Sequence, residues 1–340
     1  MQCLAHRPGS HLAGLFWMSE HILVTGATGF LGGTLARQLG GGVIGTGRDP
    51  AKLDALHVPS KFACDLSKPL APSTISHCSN VSTIIHCASL SSPWGTRQAF
   101  HDANVAATET VIALTKAVNA KHLIFISSPS VYFQFTDQFD VREDSKLPIP
   151  VNNYAATKTA AEERLKASGI PFTILRPRGL YGAGDTTLLP RLLRAARSGP
   201  MPLFRNGEVR TDITHVDDVV AAIMAVIEQR DTAFGQTFNI SGGVALPIKE
   251  VVEKVCDSQG ANLRWRPLPV RPALAAVRLI EKFARLRPGK PEPKVTSYGL
   301  GIFAFSQTLD LSKINDKIGW FPQVSFEDGL ARTFAQKDAA

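Results

Sequence analysis

The chain has 340 residues, 44 % apolar and 19 % charged, enough for one large or two modest globular domains with a sizeable core. Its formal net charge is +8, but the Lys and Arg residues are scattered and form no basic block or nucleic-acid motif, so no nucleic-acid partner is expected; phosphates on a cofactor or an acidic substrate account for the charge. No apolar run is long enough to span a bilayer, and five cysteines without a C-x-x-C pair indicate a reduced, cytoplasmic protein rather than a disulfide framework.

Residues 1–20 imitate a signal peptide only in part. Arg7 precedes the apolar Leu12 to Trp17, but that stretch is too short and no small-residue cleavage site follows it. Met18 stands just before the first strand, so residues 1–17 are expected to be an over-long start assignment or a disordered tail. The strand His21 to Val24 then runs into Thr25-Gly26-Ala27-Thr28-Gly29-Phe30-Leu31-Gly32, which opens a helical pattern ending at Leu39. This strand, glycine turn and helix form a phosphate cradle. Gly26 can take backbone angles closed to other residues, Gly29 permits close approach of a pyrophosphate, and Gly32 lets the helix pack on the strand. The helix N-terminus turns its free N–H groups toward the anion. The spacing is G-x-x-G-x-x-G, not the more familiar G-x-G-x-x-G.

The second strand, Gly42 to Thr46, ends in Gly47-Arg48-Asp49-Pro50, where an adenosine ribose is expected. An acidic residue there suits the 2′-hydroxyl of NAD and an arginine suits the 2′-phosphate of NADP. Arg48 comes first, so NADP is favoured over NAD; Asp49 also reads as an N-cap for a helix begun by Pro50. Phe62 to Cys64 is a short third strand followed by Asp65-Leu66, and Val81 to Cys87 a fourth followed by Ala88. Loops at the C-terminal ends of parallel strands line the ligand crevice, which makes Asp65 and Ala88 neighbours of adenine and phosphate. His77-Cys78 and His86-Cys87 resemble ligand pairs, but neighbours on a strand face opposite ways, so packing is expected and no metal. A Ser/Pro-rich loop with Trp94 leads into a helix from about Phe100 to Ala120 that carries Asn104, and the fifth strand is His122 to Ser127. Strands alternating with helices predict an α/β fold with a doubly wound parallel sheet of Rossmann type.

The fifth strand opens into Ser127-Ser128-Pro129-Ser130-Val131-Tyr132, and Asn153-Tyr154-Ala155-Ala156-Thr157-Lys158 begins a helix. Tyr154 and Lys158 are four apart and share one face. A tyrosine with an ordinary pKa of about 10 becomes a usable proton donor and acceptor when an ammonium lies near it. These motifs, with Asn104 and Arg176-Pro177, resemble the extended short-chain dehydrogenase/reductases. The resemblance implies Ser128, Tyr154 and Lys158 as a catalytic triad, with Asn104 supporting a proton relay. Tyr154 would pass the proton, Lys158 would lower its pKa and bond the nicotinamide ribose, and Ser128 would polarise the substrate carbonyl. Ser128 is chosen over Ser127 and Ser130 because the family's serine lies four residues before the tyrosine of its Val-Tyr pair. Pro177 would border the nicotinamide. Phe133 stands where many sugar-nucleotide members have glycine. A homodimer is the family expectation.

Beyond Arg178 the pattern turns loop-rich. Residues 21–177 are read as the dinucleotide-binding domain and 178–340 as a smaller substrate domain, with a strand near 237–241 returning to the first sheet. The segment from Leu175 to Pro190, with Gln307 to Asp310 and Ile318 to Pro322, resembles the 3β-hydroxysteroid dehydrogenase-like branch, which includes bacterial 2-alkyl-3-oxoalkanoate reductases. That branch implies a hydrophobic 3-oxo or 3-hydroxy substrate, a β-keto acid or steroid-like compound. Trp94, Arg210 and His215 are candidate substrate contacts. Arg191, Arg194 and Arg197 recur every three residues on one helix and read as a solvated face. Ala276, Leu279, Ile280, Phe283 and Leu286 share a helical face opposite Arg278, Lys282 and Arg285. Such a helix can rest on a membrane surface, but packing on the domain core is the reading adopted. Two rival functions stay open: a nucleotide-sugar epimerase or dehydratase with tightly held NAD, and a non-catalytic dinucleotide-binding scaffold.

Overall fold

In the computed structural model, which describes residues 21–335, five short β-rich runs ordered by alternating helices build one side of a sheet. They are β1 (His21–Thr25), β2 (Val43–Gly47), β3 (Ser60–Ala63), β4 (Val81–His86) and β5 (His122–Ile126). Two later strands, β6 (Phe172–Pro177) and β7 (Gln236–Ile240), complete it in the order β7-β6-β5-β4-β1-β2-β3. All pairings are parallel. The strand order reverses between β1 and β4, the switch point at which such sheets open a ligand crevice at their C-terminal ends. β7 pairs with β6 in the register Asn239 to Arg176 and Ile240 to Pro177, so a late segment shares an edge with the first sheet.

The central strands are buried along most of their length because helices cover both faces, whereas the edge strand β3 is half-exposed. One layer gathers Ile22, Val24, Ile85, Ile124 and Phe238 under Leu31, Leu35 and the Val216–Glu228 helix. The other gathers Leu23, Ile84, Leu123 and Ile174 under Val111, Leu114, Ala161 and Leu165. The helix predicted over 100–120 is broken into Arg97–Phe100, a π-helical turn at His101–Ala106, and Ala107–Ala117. His77 ends the Pro72–His77 helix, so its pairing with Cys78 is not a strand alternation. His77 bonds Ser60, and His86 is buried between Thr25 and Thr108.

The remainder is assembled from distant pieces. A four-stranded sheet joins Leu246–Pro247, Arg210–Thr211, Gln307–Leu309 and Gln138–Val141, in that order. Two further pairs link Thr214–His215 with Leu180–Tyr181, and Trp265–Pro267 with Met201–Leu203. Arg191, Arg194 and Arg197 are exposed on the Leu189–Ser198 helix. The Val270–Leu286 helix corrects one expectation. Its core face is Leu274, Val277 and Ala284, whereas Leu279, Ile280, Phe283 and Leu286 are exposed. Among the described residues no helix is long and apolar enough to cross a membrane. The expectations for residues 1–17 lie outside the described residues.

Candidate active site

The chain leaves β1 through Gly26, whose φ of 67° suits glycine. A Cβ there would stand 2.7 Å from the Ala88 nitrogen, and a Cβ at Gly32 would stand 2.3 Å from the Gly26 carbonyl oxygen. Neither position has room for a side chain. Thr28 fills the space over Gly47, where a Cβ would meet its Oγ1 at 2.8 Å. No side chain caps the Phe30–Leu39 helix at Gly29, so the first-turn donors remain available to an anion. Phe30 lies beside Gly184, Leu31 is buried, and the Ala88 N–H donates to Thr25 Oγ1 at 3.3 Å. The cradle fits a dinucleotide pyrophosphate.

At the end of β2, Asp49 Oδ1 accepts from the Ala51 and Lys52 N–H groups at 3.1 and 3.3 Å, which commits it to capping the Pro50–Asp54 helix. Arg48 is exposed beside Asp65. Asp65 accepts from the Ser67 hydroxyl and N–H, which with Lys68 and Arg48 hold its carboxyl below the ordinary range. The Leu66 side chain is turned into the core.

Ser128 and Tyr154 come together. The Tyr154 hydroxyl lies near the hydroxyls of Ser128 and of Ser91, a residue of the loop after β4, and both favour its ionised form. Ser127 instead donates to Glu162 Oε1 at 2.5 Å, and Ser130 Oγ has no hydrogen-bond partner among the described residues. Asn152 caps the Asn153–Lys166 helix by accepting from the Ala155 N–H at 2.8 Å, which sets where Tyr154 leaves the first turn. Burial raises the Tyr154 pKa, and the serine hydroxyls only partly offset this.

Lys158 is 2 % exposed, and its Nζ donates to the Ile126 carbonyl at 2.7 Å above the Phe125 ring. Burial lowers its pKa to about 8. Burial of the phenol outweighs the serine hydroxyls, and the Lys158 ammonium is turned to a backbone oxygen. Asn104 lies in the π-helical turn, 1 % exposed. Its Oδ1 accepts from the Leu90 N–H at 2.7 Å, and its Nδ2 donates to the Leu90 carbonyl and to Thr157 Oγ1. It ties the loop bearing Ser91 to the helix bearing Tyr154.

A second wall comes from late in the chain. Tyr298, in the Ser297–Ala304 helix, lies close enough to feel both Tyr154 and Arg178, and burial pushes its hydroxyl up to about 12. Its ring meets Phe133 edge-on at 5.1 Å, and Phe133 meets Phe135 at 5.4 Å. Arg178 donates to Gln307 Oε1 and, at 3.0 Å, to Thr211 Oγ1; its Nε has no hydrogen-bond partner among the described residues. Burial lowers its pKa, against the pull of Tyr298 and Asp212.

Ser91 and Tyr298 escaped the sequence reading. Ser91 had a usable signal, since its loop follows a parallel strand. Tyr298 had none, because only tertiary folding brings it near Tyr154. The remaining candidates are dispersed. Trp94 Nε1 donates to the Lys290 carbonyl at 2.9 Å. Arg210 is exposed and donates to the Ala245 carbonyl at 3.0 Å. His215 packs against Tyr181 and Asp217, and burial lowers its pKa against the pull of Asp217 and Asp218. Its cavity, shared with Arg37 and Arg332, is not the Tyr154 cluster. Pro177 ends β6, buried beside Ile240.

The sequence model of the NAD dependent epimerase/dehydratase family matches residues 22–241. An uncharacterized Escherichia coli strain K12 protein, YbjS, is 31 % identical over 92 % of this chain and 96 % of its own. A Stenotrophomonas maltophilia strain K279a protein named 2-alkyl-3-oxoalkanoate reductase is 29 % identical over 94 % of this chain and 99 % of its own. A solved structure of the Bacillus cereus UDP-glucuronic acid 4-epimerase in complex with NAD superposes with a TM-score of 0.71 at 22 % identity, over 94 % of this chain and 99 % of that one, which is a likeness of fold. With the glycine cradle in place at the switch point of the sheet, this chain belongs to the NAD dependent epimerase/dehydratase family.

Proposed function

We propose that the protein is an NADP-dependent oxidoreductase that interconverts the carbonyl and hydroxyl of a hydrophobic 3-oxo or 3-hydroxy compound. The observation that carries this reading is the buried Tyr154 hydroxyl brought near Ser128, Ser91 and Tyr298, with Phe133 packed edge-on to Tyr298. A nicotinamide dinucleotide held at the Gly26–Gly32 cradle would supply or accept the hydride. Ser128 and Ser91 orient the phenol and offer a donor to the substrate oxygen. Tyr154, kept protonated by burial, delivers the proton in the direction of reduction. Lys158, anchored on the Ile126 carbonyl, fixes the floor of the site and would hold the nicotinamide ribose of a bound cofactor. Asn104 keeps the Ser91 loop in place.

The S. maltophilia relative supports a β-keto acid over a steroid. Arg178 supports it too, as a buried cation whose closest partners are neutral. NADP is favoured over NAD because Arg48 is exposed at the ribose end while Asp49 is occupied as a cap. A homodimer rests on the family resemblance alone. Phe133, 1 % exposed and packed against Gly301, fills space beside Tyr298 and weighs against a sugar nucleotide.

The test is a fluorescence titration with NADPH and NADH on the wild type and Arg48→Ala, followed by absorbance assays with β-keto acids, 3-ketosteroids and UDP-sugars. NADPH preference that collapses in Arg48→Ala, with oxidation driven by a hydrophobic ketone, is the expected result. Conversion of a UDP-sugar over tightly held NAD without net oxidation would replace this reading by the epimerase one. Binding without turnover of any panel member would favour the scaffold.

A further inference from the structure

The Val270–Leu286 helix has three stripes where an ordinary surface helix has two. Leu274, Val277 and Ala284 pack on the core with Phe204 and Leu300. Turning by about 100° per residue places Arg271, Arg278, Lys282 and Arg285 on a second stripe, all exposed. The third is apolar and bare: Leu279, Ile280, Phe283 and Leu286 are 54, 52, 58 and 74 % exposed. A contiguous apolar patch of this kind on a surface marks an interaction site.

The charge around the patch identifies the occupant. Between Val270 and Val295 there are seven lysines and arginines and two glutamates. Both glutamates are engaged: Glu281 accepts from the Ser297 N–H and hydroxyl, and Glu292 pairs with Arg191. The patch is thus bordered by unopposed positive charge. A second copy docking by the same face would bring like charges together. An anionic lipid surface complements both the apolar stripe and the basic one. The helix has 17 residues and the basic stripe, so it lies on a bilayer rather than across it.

We propose that this helix docks the protein on anionic membranes, with Leu279, Ile280, Phe283 and Leu286 inserted at the headgroup boundary and Lys282 and its neighbours on the phosphates. The C-terminal end of the helix abuts the catalytic loop. Arg285 lies over the Trp94 ring at 5.3 Å, and the Gly95 carbonyl accepts from Asn153 beside Tyr154. Docking sets that loop against the lipid in which an apolar substrate dissolves. This last consequence rests on the proposed reductase activity; the docking itself does not.

The experiment is vesicle flotation of the full-length protein with phosphatidylcholine alone and with added phosphatidylglycerol, at low and high salt. Circular dichroism melts and sedimentation run in parallel. The wild type is expected to bind anionic vesicles at least about tenfold better than neutral ones, with binding weakened by salt. A Leu279→Ser, Phe283→Ser, Leu286→Ser variant should lose binding while melting like the wild type. An Arg271→Glu, Lys282→Glu variant should lose the preference for anionic lipid. Equal binding to both vesicle types, or none, overturns the proposal. So does a serine variant that changes oligomeric state in a protein indifferent to vesicles, which would make the patch an interface between copies. Because no substrate enters the assay, failure here leaves the reductase reading intact, and absence of turnover leaves docking intact.

Discussion

The seven-stranded sheet and the small four-stranded sheet treat a buried arginine in opposite ways. Arg176, near the end of β6, is gripped by Glu162 through two nitrogens, Nε at 2.9 Å, and its Nη1 reaches the Tyr132 hydroxyl. Burial works against both charges, yet pairing wins: the guanidinium is held above its ordinary pKa and the Glu162 carboxyl below. Arg178, two residues on, meets the four-stranded sheet through Thr211 and Gln307, and no ion pair among the described residues includes it. A closed charge stiffens the floor beneath Lys158 and Ser127. Arg178 is held by neutral hydrogen-bond partners and the longer-range pull of Tyr298 and Asp212, so its charge is less completely answered than that of Arg176.

The largest test of this division concerns the hydroxyl between the two walls. Tyr154→Phe should lower kcat by about a thousandfold while NADPH binding stays within about twofold, which fluorescence titration and turnover together would read. A large loss of NADPH affinity would instead make the tyrosine a structural support for the cradle. Next, Glu162→Ala should destabilise the fold by about 3–5 kcal/mol, because it strands the buried Arg176, and urea unfolding would measure it. Arg178→Met should change stability by less than about 1 kcal/mol and raise KM for a β-keto acid about tenfold or more, the loss expected of a charge-assisted contact, without raising it for a neutral ketone. Equal effects on both ketones would break the contrast between the two arginines.

Proton linkage gives two smaller effects. Lys158 has a folded pKa of about 8, below its unfolded value, so the folded state holds fewer protons between about 8 and 10.4. Stability from this group rises with pH across that window, and Lys158→Met should be at least as stable as the wild type at pH 7, with its advantage shrinking above pH 8. His86 and His122 are held neutral by burial, with pKa values near 3. Their contribution is complete above about 6.5 and is lost as pH falls toward 3. His122→Gln should flatten the acid limb of a stability–pH profile.

The floor of the site was legible because its chemistry is local in sequence. The glycine turn, Ser128 and the Tyr154/Lys158 spacing each sit within a few residues of a strand end or helix start. The roof was not. Tyr298 and Gln307 reach the site through pairings between segments far apart, and two-residue strands such as Arg210–Thr211 leave no periodicity to read. The Val270–Leu286 helix was misread for a related reason. Two apolar stripes on one helix look alike in sequence, and only the packing of Leu274 and Val277 shows which faces inward.

The π-helical turn at His101–Ala106 has one residue more than an α-helix needs to cover the same path. The extra residue sets the rotation at which Asn104 meets the Leu90 backbone. Deleting a single residue there would let the segment relax into regular helix, with stronger backbone pairing. The same deletion would swing Asn104 off its loop by about 100° and release Ser91 from Tyr154. A shorter, better-formed helix would thus belong to a poorer enzyme: regular backbone pairing and the placement of Asn104 pull in opposite directions.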